Sequence, residues 1–261
     1  MIKTDFTTDI MFKEVLKKNL DLCKELIQRC IPELEIGDLE VIETEKELVV
    51  SDKTRRIRLD VMVSDRERQY NLEMMKGNRP IEKLIRYGHS MIDVNLEIGS
   101  DIEELSEVVV LYLCTYDPFG YGLPRYTLRN RITELPYVEY NDGSLTVVVT
   151  SKGIDDAPSE LKPLIQLLQH NPGKDQFSRR ILGEVGKIQQ DPRVRKEIME
   201  YEIWENILKK EAMQEGITIG EERTKDRVFN MLLEENMIST EQLEELKKKL
   251  EKDKDSEERT H

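Results

Sequence analysis

Seven consecutive residues, Val108 to Cys114, read Val-Val-Val-Leu-Tyr-Leu-Cys, and no other stretch limits the fold of this chain as strongly. A run so rich in β-branched residues, with no polar position on either side, is what a strand covered on both faces requires. It is far shorter than the ~20 apolar residues of a membrane-spanning helix, and the N-terminus lacks a basic segment followed by an apolar one. The expectation is therefore a soluble, cytoplasmic protein without membrane contact, organised around a central buried strand. Its 261 residues suit one α/β domain with a helical extension. Hydrophobic residues make up 38% and charged residues 36%, a polar balance that predicts solvated helices towards the C-terminus.

Alternation appears upstream. Ile57, Leu59, Val61 and Val63 share one side of an extended segment, with Arg56, Arg58, Asp60 and Met62 on the other. Tyr70 to Lys76 reads as its partner strand. Helical spacing runs from Thr8 to Cys30, with Thr8 or Asp9 available as N-cap, and again from Ile81 to Ile98. A helix between two strands predicts a parallel crossover. Tyr126 to Asn130 and Leu145 to Thr150 are further strand candidates, the second preceded by the turn Asn141-Asp142-Gly143. Beyond Pro158 only helices are expected, at about Ser159 to His170, Asp175 to Gln190, Pro192 to Met213, Gly220 to Asn236 and Thr240 to Lys252.

The net charge of −13 argues against indiscriminate DNA binding, which depends on Lys and Arg neutralising phosphates. One region departs from that balance. Lys53, Arg55, Arg56, Arg58, Arg66, Arg68, Lys76, Arg79, Lys83 and Arg86 face only Asp60, Asp65, Glu67, Glu73 and Glu82. Arg79, Lys83 and Arg86 form one helical stripe, suited to backbone phosphates or simply to solvent. Cys23, Cys30 and Cys114 contain no CxxC pair and read as buried small hydrophobes. Three histidines are too few for a histidine-rich metal site.

Laying the two upstream strands together pairs Val63 with Tyr70, Val61 with Leu72 and Leu59 with Met74, all apolar, and sets Asp60 across from Glu73. A slip of one residue would break that match. Two carboxylates directly opposite repel, and either they sit in water on a solvated face or they hold a cation. Mg²⁺, with Mn²⁺ as substitute, suits such a pair, because it takes one or two carboxylates and keeps several waters.

Asp9-x-x-Phe12-Lys13, Arg58-Leu59-Asp60-Val61, Tyr70-Asn71-Leu72-Glu73-Met74, Arg86-Tyr87 leading to Met91-Ile92-Asp93, and Cys114-Thr115-Tyr116-Asp117-Pro118-Phe119 occur in this order. Together they resemble the PD-(D/E)XK nuclease superfamily, and within it the Rpn-type recombination-promoting nucleases and transposase-like proteins, from about Asp5 to Gly153. The resemblance implies a restriction-endonuclease-like α/β core, a mixed sheet flanked by helices, over residues 1–155. A helical C-terminal region over 156–252 and a charged tail over 253–261, expected to be disordered, would follow.

It further implies Mg²⁺-dependent DNA endonuclease activity in recombination or mobile-element processes, with Asp60 and Glu73 as metal ligands. Glu14 reads either as a third acid of the metal shell or as part of a solvated helix face. Met75 departs from the family, which carries Gln or Lys there. A thioether donates no hydrogen bond, and Arg58, across from Met75 in the same register, is the candidate substitute. Two other classes stay open: a DNA-binding or regulatory relative that lost catalysis at Met75, and a protein-interaction module or homo-oligomer built on the C-terminal helices. Trp204 is expected to pack.

Overall fold

The computed structural model describes residues 5–42, 60–77, 81, 82, 85, 106–235, 237–244 and 246. Ile57, Leu59, most of the helix expected from Ile81 to Ile98 and the tail from Asp253 lie outside these residues. The chain divides into two compact units, Met1–Ile198 and Met199–His261. The first unit thus runs well past residue 155, because the helices after the sheet share its core.

That core is organised by six strands: β1 (Glu40–Val41), β2 (Val61–Ser64), β3 (Arg68–Met75), β4 (Glu107–Cys114), β5 (Arg125–Leu128) and β6 (Ser144–Thr150). They form one mixed sheet in the order β1-β2-β3-β4-β6-β5. β3, β4 and β6 run parallel, while β1, β2 and β5 pair antiparallel with their neighbours. The Val-rich run is β4, buried along almost its whole length between β3 and β6. The architecture is α/β, with a mixed sheet and helices.

Alternation gives the sheet two faces of different character. Val61, Val63, Tyr70, Leu72 and Met74 pack with Val109, Leu111, Leu113, Val147 and Val149. Four helices of the first unit contribute to that core: α1 (Asp9–Lys18), α2 (Leu20–Cys30), α3 (Lys162–Leu168) and α4 (Gln176–Ile188). Their apolar stripes include Met11, Phe12, Val15 and Leu16 from α1, and Phe177, Ile181, Val185 and Ile188 from α4, spaced three or four residues apart. Each such side chain contributes roughly 1.5–3 kcal/mol on full burial. The second face gathers Met62, Met75, Ile81, Val110, Tyr112, Cys114 and Val148.

Periodicity alone predicts a single helix from Thr8 to Cys30, but the chain breaks at Asn19, with φ −135° and ψ 77°. The Asn19 side-chain amide donates to the Val15 carbonyl at 3.0 Å, and its own carbonyl accepts the Cys23 N–H. Such local side-chain bonding competes with helix propagation and favours a cap. The opposite difference occurs downstream. Two helices were expected between Pro192 and Asn236, yet α5 (Pro192–Glu234) runs without interruption. Gly216 and Gly220 each cost about 1 kcal/mol relative to Ala, a penalty that the surrounding Glu, Lys, Met, Gln and Ala residues offset.

In the second unit a cap foreseen at Ser239 or Thr240 forms at Ser239. Its hydroxyl accepts the Gln242 N–H, and the Gln242 side chain accepts the Ser239 N–H. Trp204, expected to pack, is 60% exposed on α5, as are Met199, Ile203 and Met213 to similar degrees.

The β2–β3 turn fixes what happens at the far end of the hairpin. The strands extend to Ser64 and from Arg68, so the connection is tighter than the Ser64 to Gln69 loop expected. Asp65 organises it. Its Oδ1 accepts the Glu67 and Arg68 N–H groups, and its Oδ2 accepts the Tyr70 hydroxyl and the Gly37 N–H. Burial works to raise the Asp65 pKa, but these hydrogen bonds outweigh it and hold the carboxyl below its usual range. Asp65→Ala is expected to cost roughly 2 kcal/mol in urea unfolding, since it leaves several donors without an acceptor. A lowered folded pKa contributes stability above the unfolded value and loses it as the pH falls through the folded one. The deficit of the variant should therefore be complete at neutral pH and shrink in acid.

Candidate metal centre

The described ladder pairs Val63 with Tyr70 and Val61 with Leu72, as the apolar match requires. The hairpin closes with the Asp65 N–H on the Arg68 carbonyl at 3.0 Å. Counting back two residues at a time from that bonded pair, the N–H groups of Tyr70, Leu72 and then Met74 point towards β2. At Met74 the acceptor is a side chain: Asp60 Oδ2 takes the Met74 N–H at 2.9 Å. Asp60 in turn donates its own N–H to Glu73 Oε1 at 3.3 Å. Each carboxylate is thereby tied to the backbone beside the other.

This junction sits where β3 and its parallel neighbours end, the side of an α/β sheet on which ligand sites commonly form. The Asp60 side chain is only 12% exposed, and its Oδ1 lies 2.9 Å from the ammonium of Lys13, which α1 brings to the sheet. Asn71, one step back on the same face of β3 as Glu73, donates its side-chain amide to Glu73 Oε1 at 3.1 Å. Glu73 is surrounded on that face by Tyr112, its partner across the parallel ladder.

The electrostatics follow from this crowding. Burial, and then the negative charge of Asp60, push the Glu73 pKa well above the usual carboxylate range. The Asn71 amide, the Asp60 N–H and Lys13 oppose the shift without overcoming it. The Tyr112 phenol is likewise pushed up, by burial and by the neighbouring Glu73 and Cys114. Two acids so close cannot both ionise cheaply, and one ammonium balances only one of them.

The remaining sequence candidates separate. Met75 shares a face with Glu73, as parity demands, but it is 7% exposed and packs with Met62, Ile81, Tyr112 and Cys114. Its thioether is a core side chain. Glu14 pairs with Lys18 at 2.7 Å in an i,i+4 arrangement on α1. Among the described residues no group of three or more His, Cys, Asp or Glu side chains is placed to hold a metal ion. Arg58, Arg79, Lys83 and Arg86 lie outside the described residues. Of the basic cluster, Arg68 is held by Glu107 at 2.7 Å and Glu67 at 3.2 Å. The residue that sequence reasoning missed is Lys13. Its only signal was its place in Asp9-x-x-Phe12-Lys13, and nothing in helical spacing says which strand it reaches.

No family model, curated protein or solved structure matches the chain. Asp60 and Glu73 present hard oxygen donors, and the position where a cation would relieve their repulsion is approached by an ammonium. That donor set fits a divalent ion such as Mg²⁺ or Mn²⁺, which fills its shell with waters around one or two carboxylates.

The shifted Glu73 makes this testable without substrate. An acid whose folded pKa is raised holds its proton longer in the folded state, so stability falls as pH rises from the ordinary value of 4.5 through the folded one. In a chelator, Glu73→Gln should lack this loss and become progressively more stable than wild type towards alkaline pH. Denaturant midpoints across pH measure it, and parallel curves for the two proteins would contradict the crowding described.

Proposed function

We propose that this chain is a metal-dependent DNA endonuclease of the PD-(D/E)XK type, acting in the cytoplasm on phosphodiester bonds in recombination or mobile-element processes. The observation that carries the reading is the junction of Asp60, Glu73 and Lys13: two linked acids and one cation at the end of the parallel strands. Asp60 and Glu73 would hold Mg²⁺, or Mn²⁺ in its place. Such an ion supplies charge neutralisation at a phosphate and makes a nearby water more acidic.

The protein's own part is to position and to balance charge. The Met74 N–H orients Asp60, while Asn71 and the Asp60 N–H orient Glu73. Met62, Met75 and Tyr112 belong to the buried cluster on the face of the sheet that carries Glu73. A chain with net charge −13 meets DNA through local basic residues, for which Arg79, Lys83 and Arg86 are the sequence candidates.

A second reading is favoured by Met75. Because this position is built into the core, it offers no polar group where the resembled family has one, as in a DNA-binding relative without catalysis. The two readings separate in one assay. Wild type incubated with supercoiled DNA and Mg²⁺ or Mn²⁺ should nick it. Asp60→Asn should lower both Mn²⁺ affinity and nicking roughly 100-fold or more, given that outer partners of metal ligands alone cost ~10–100-fold. Metal and DNA binding without nicking would favour the second reading.

Self-association belongs to the same proposal. The apolar side chains that α5 exposes, Trp204 and Ile203 among them, support a homo-oligomer through the C-terminal helices. Trp204→Glu should shift the sedimentation coefficient towards that of a monomer, and an unchanged monomeric value for both proteins would remove this part.

A further inference from the structure

Lys13 does more at this junction than an ordinary surface ion pair. Its ammonium contacts Asp60 at 2.9 Å, and Asp60 gives its own N–H to Glu73, so a single α1 side chain reaches the linked pair. The Lys13 side chain is 28% exposed, and an ammonium has three N–H donors, so it faces solvent while it touches the buried carboxylate. Its helix is held by Met11, Phe12, Val15 and Leu16, all fully buried, so the approach of Lys13 is set by core packing. Met75, two residues along β3 from Glu73, carries no charge and no donor.

We propose that Lys13 is the catalytic cation of this site: its ammonium holds Asp60 and would contact a phosphate oxygen of bound DNA, Asp60 and Glu73 being the residues that would hold a divalent ion. This rests on the nuclease reading above. In the hydrolysis, the oxygen of a water forms the new bond to phosphorus, and the bond from phosphorus to the departing sugar oxygen breaks. The water gives its proton to solvent, and the departing oxygen takes one from solvent. Lys13 transfers no proton and offsets the negative charge that builds on the phosphoryl oxygens.

The test compares wild type, Lys13→Met, Lys13→Gln and Asp60→Asn at one pH. Mn²⁺ affinity is read by calorimetry, and single-turnover nicking on supercoiled DNA. A melting curve in chelator identifies any variant that fails to fold, and Lys13→Gln replaces Lys13→Met if that one does. Removing the ammonium should tighten Mn²⁺ binding several-fold, because nothing then competes for Asp60. The same variant should nick on the order of 10²–10³-fold more slowly, the usual cost of one preorganised group.

Tighter metal binding with nicking at the wild-type rate would overturn the role of Lys13 while leaving the nuclease reading in place. Unchanged or weaker Mn²⁺ binding in both Lys13 variants would overturn the competition for Asp60. A wild type that binds Mn²⁺ through Asp60 yet nicks nothing would overturn the nuclease reading, and the phosphate contact of Lys13 with it.

Discussion

Like charges brought together at the end of a sheet must be compensated, and the compensation here comes from the strand backbone and from a helix. The hairpin register sets Asp60 beside Glu73. The strand ends supply N–H donors, and α1 supplies an ammonium. Each contribution depends on another element being in place. Asp65 closes the turn that fixes the register, Tyr70, Leu72 and Met74 on one face of β3 join the core that α1 shares, and the α1 stripe brings Lys13 to its distance. A slip of one residue between β2 and β3 would turn the faces of one strand over relative to the other and separate the acids.

Much of this was legible in the sequence where one physical rule dominates. β4 was readable because a β-branched run with no polar face has few alternatives. The pairing of Val61 with Leu72 and Val63 with Tyr70 was readable because apolar residues had to match across the hairpin. The readings that differ all involve competition between rules. At Asn19 a side-chain bond to Val15 defeats helical periodicity, whereas at Gly216 and Gly220 helix propensity over many residues defeats two weak breakers. The first compact unit extends to Ile198 because Leu164, Ile165, Phe177 and Ile181 complete the core of the sheet, and composition does not reveal which helices do so.

The site shows the same division. Local spacing is enough to bring Asp60 and Glu73 together, since they belong to one hairpin. Lys13 reaches them only through tertiary packing, which no short-range pattern encodes. The burial of Met75 was hidden for a related reason: alternation assigns it to the face of Glu73 but does not say whether that part of the face is open or covered by Ile81 and Cys114.

Placing the cation on a helix and the acids on a sheet also constrains how this protein can change over generations. The residues that seat α1, Phe12 and Leu16 among them, are ordinary core side chains that drift in most proteins through small compensating swaps. Here a swap that rolls the helix by a fraction of a turn also moves the ammonium relative to Asp60. Packing variants that leave the fold intact would therefore alter the charge balance of the junction, and the core and the site must vary together.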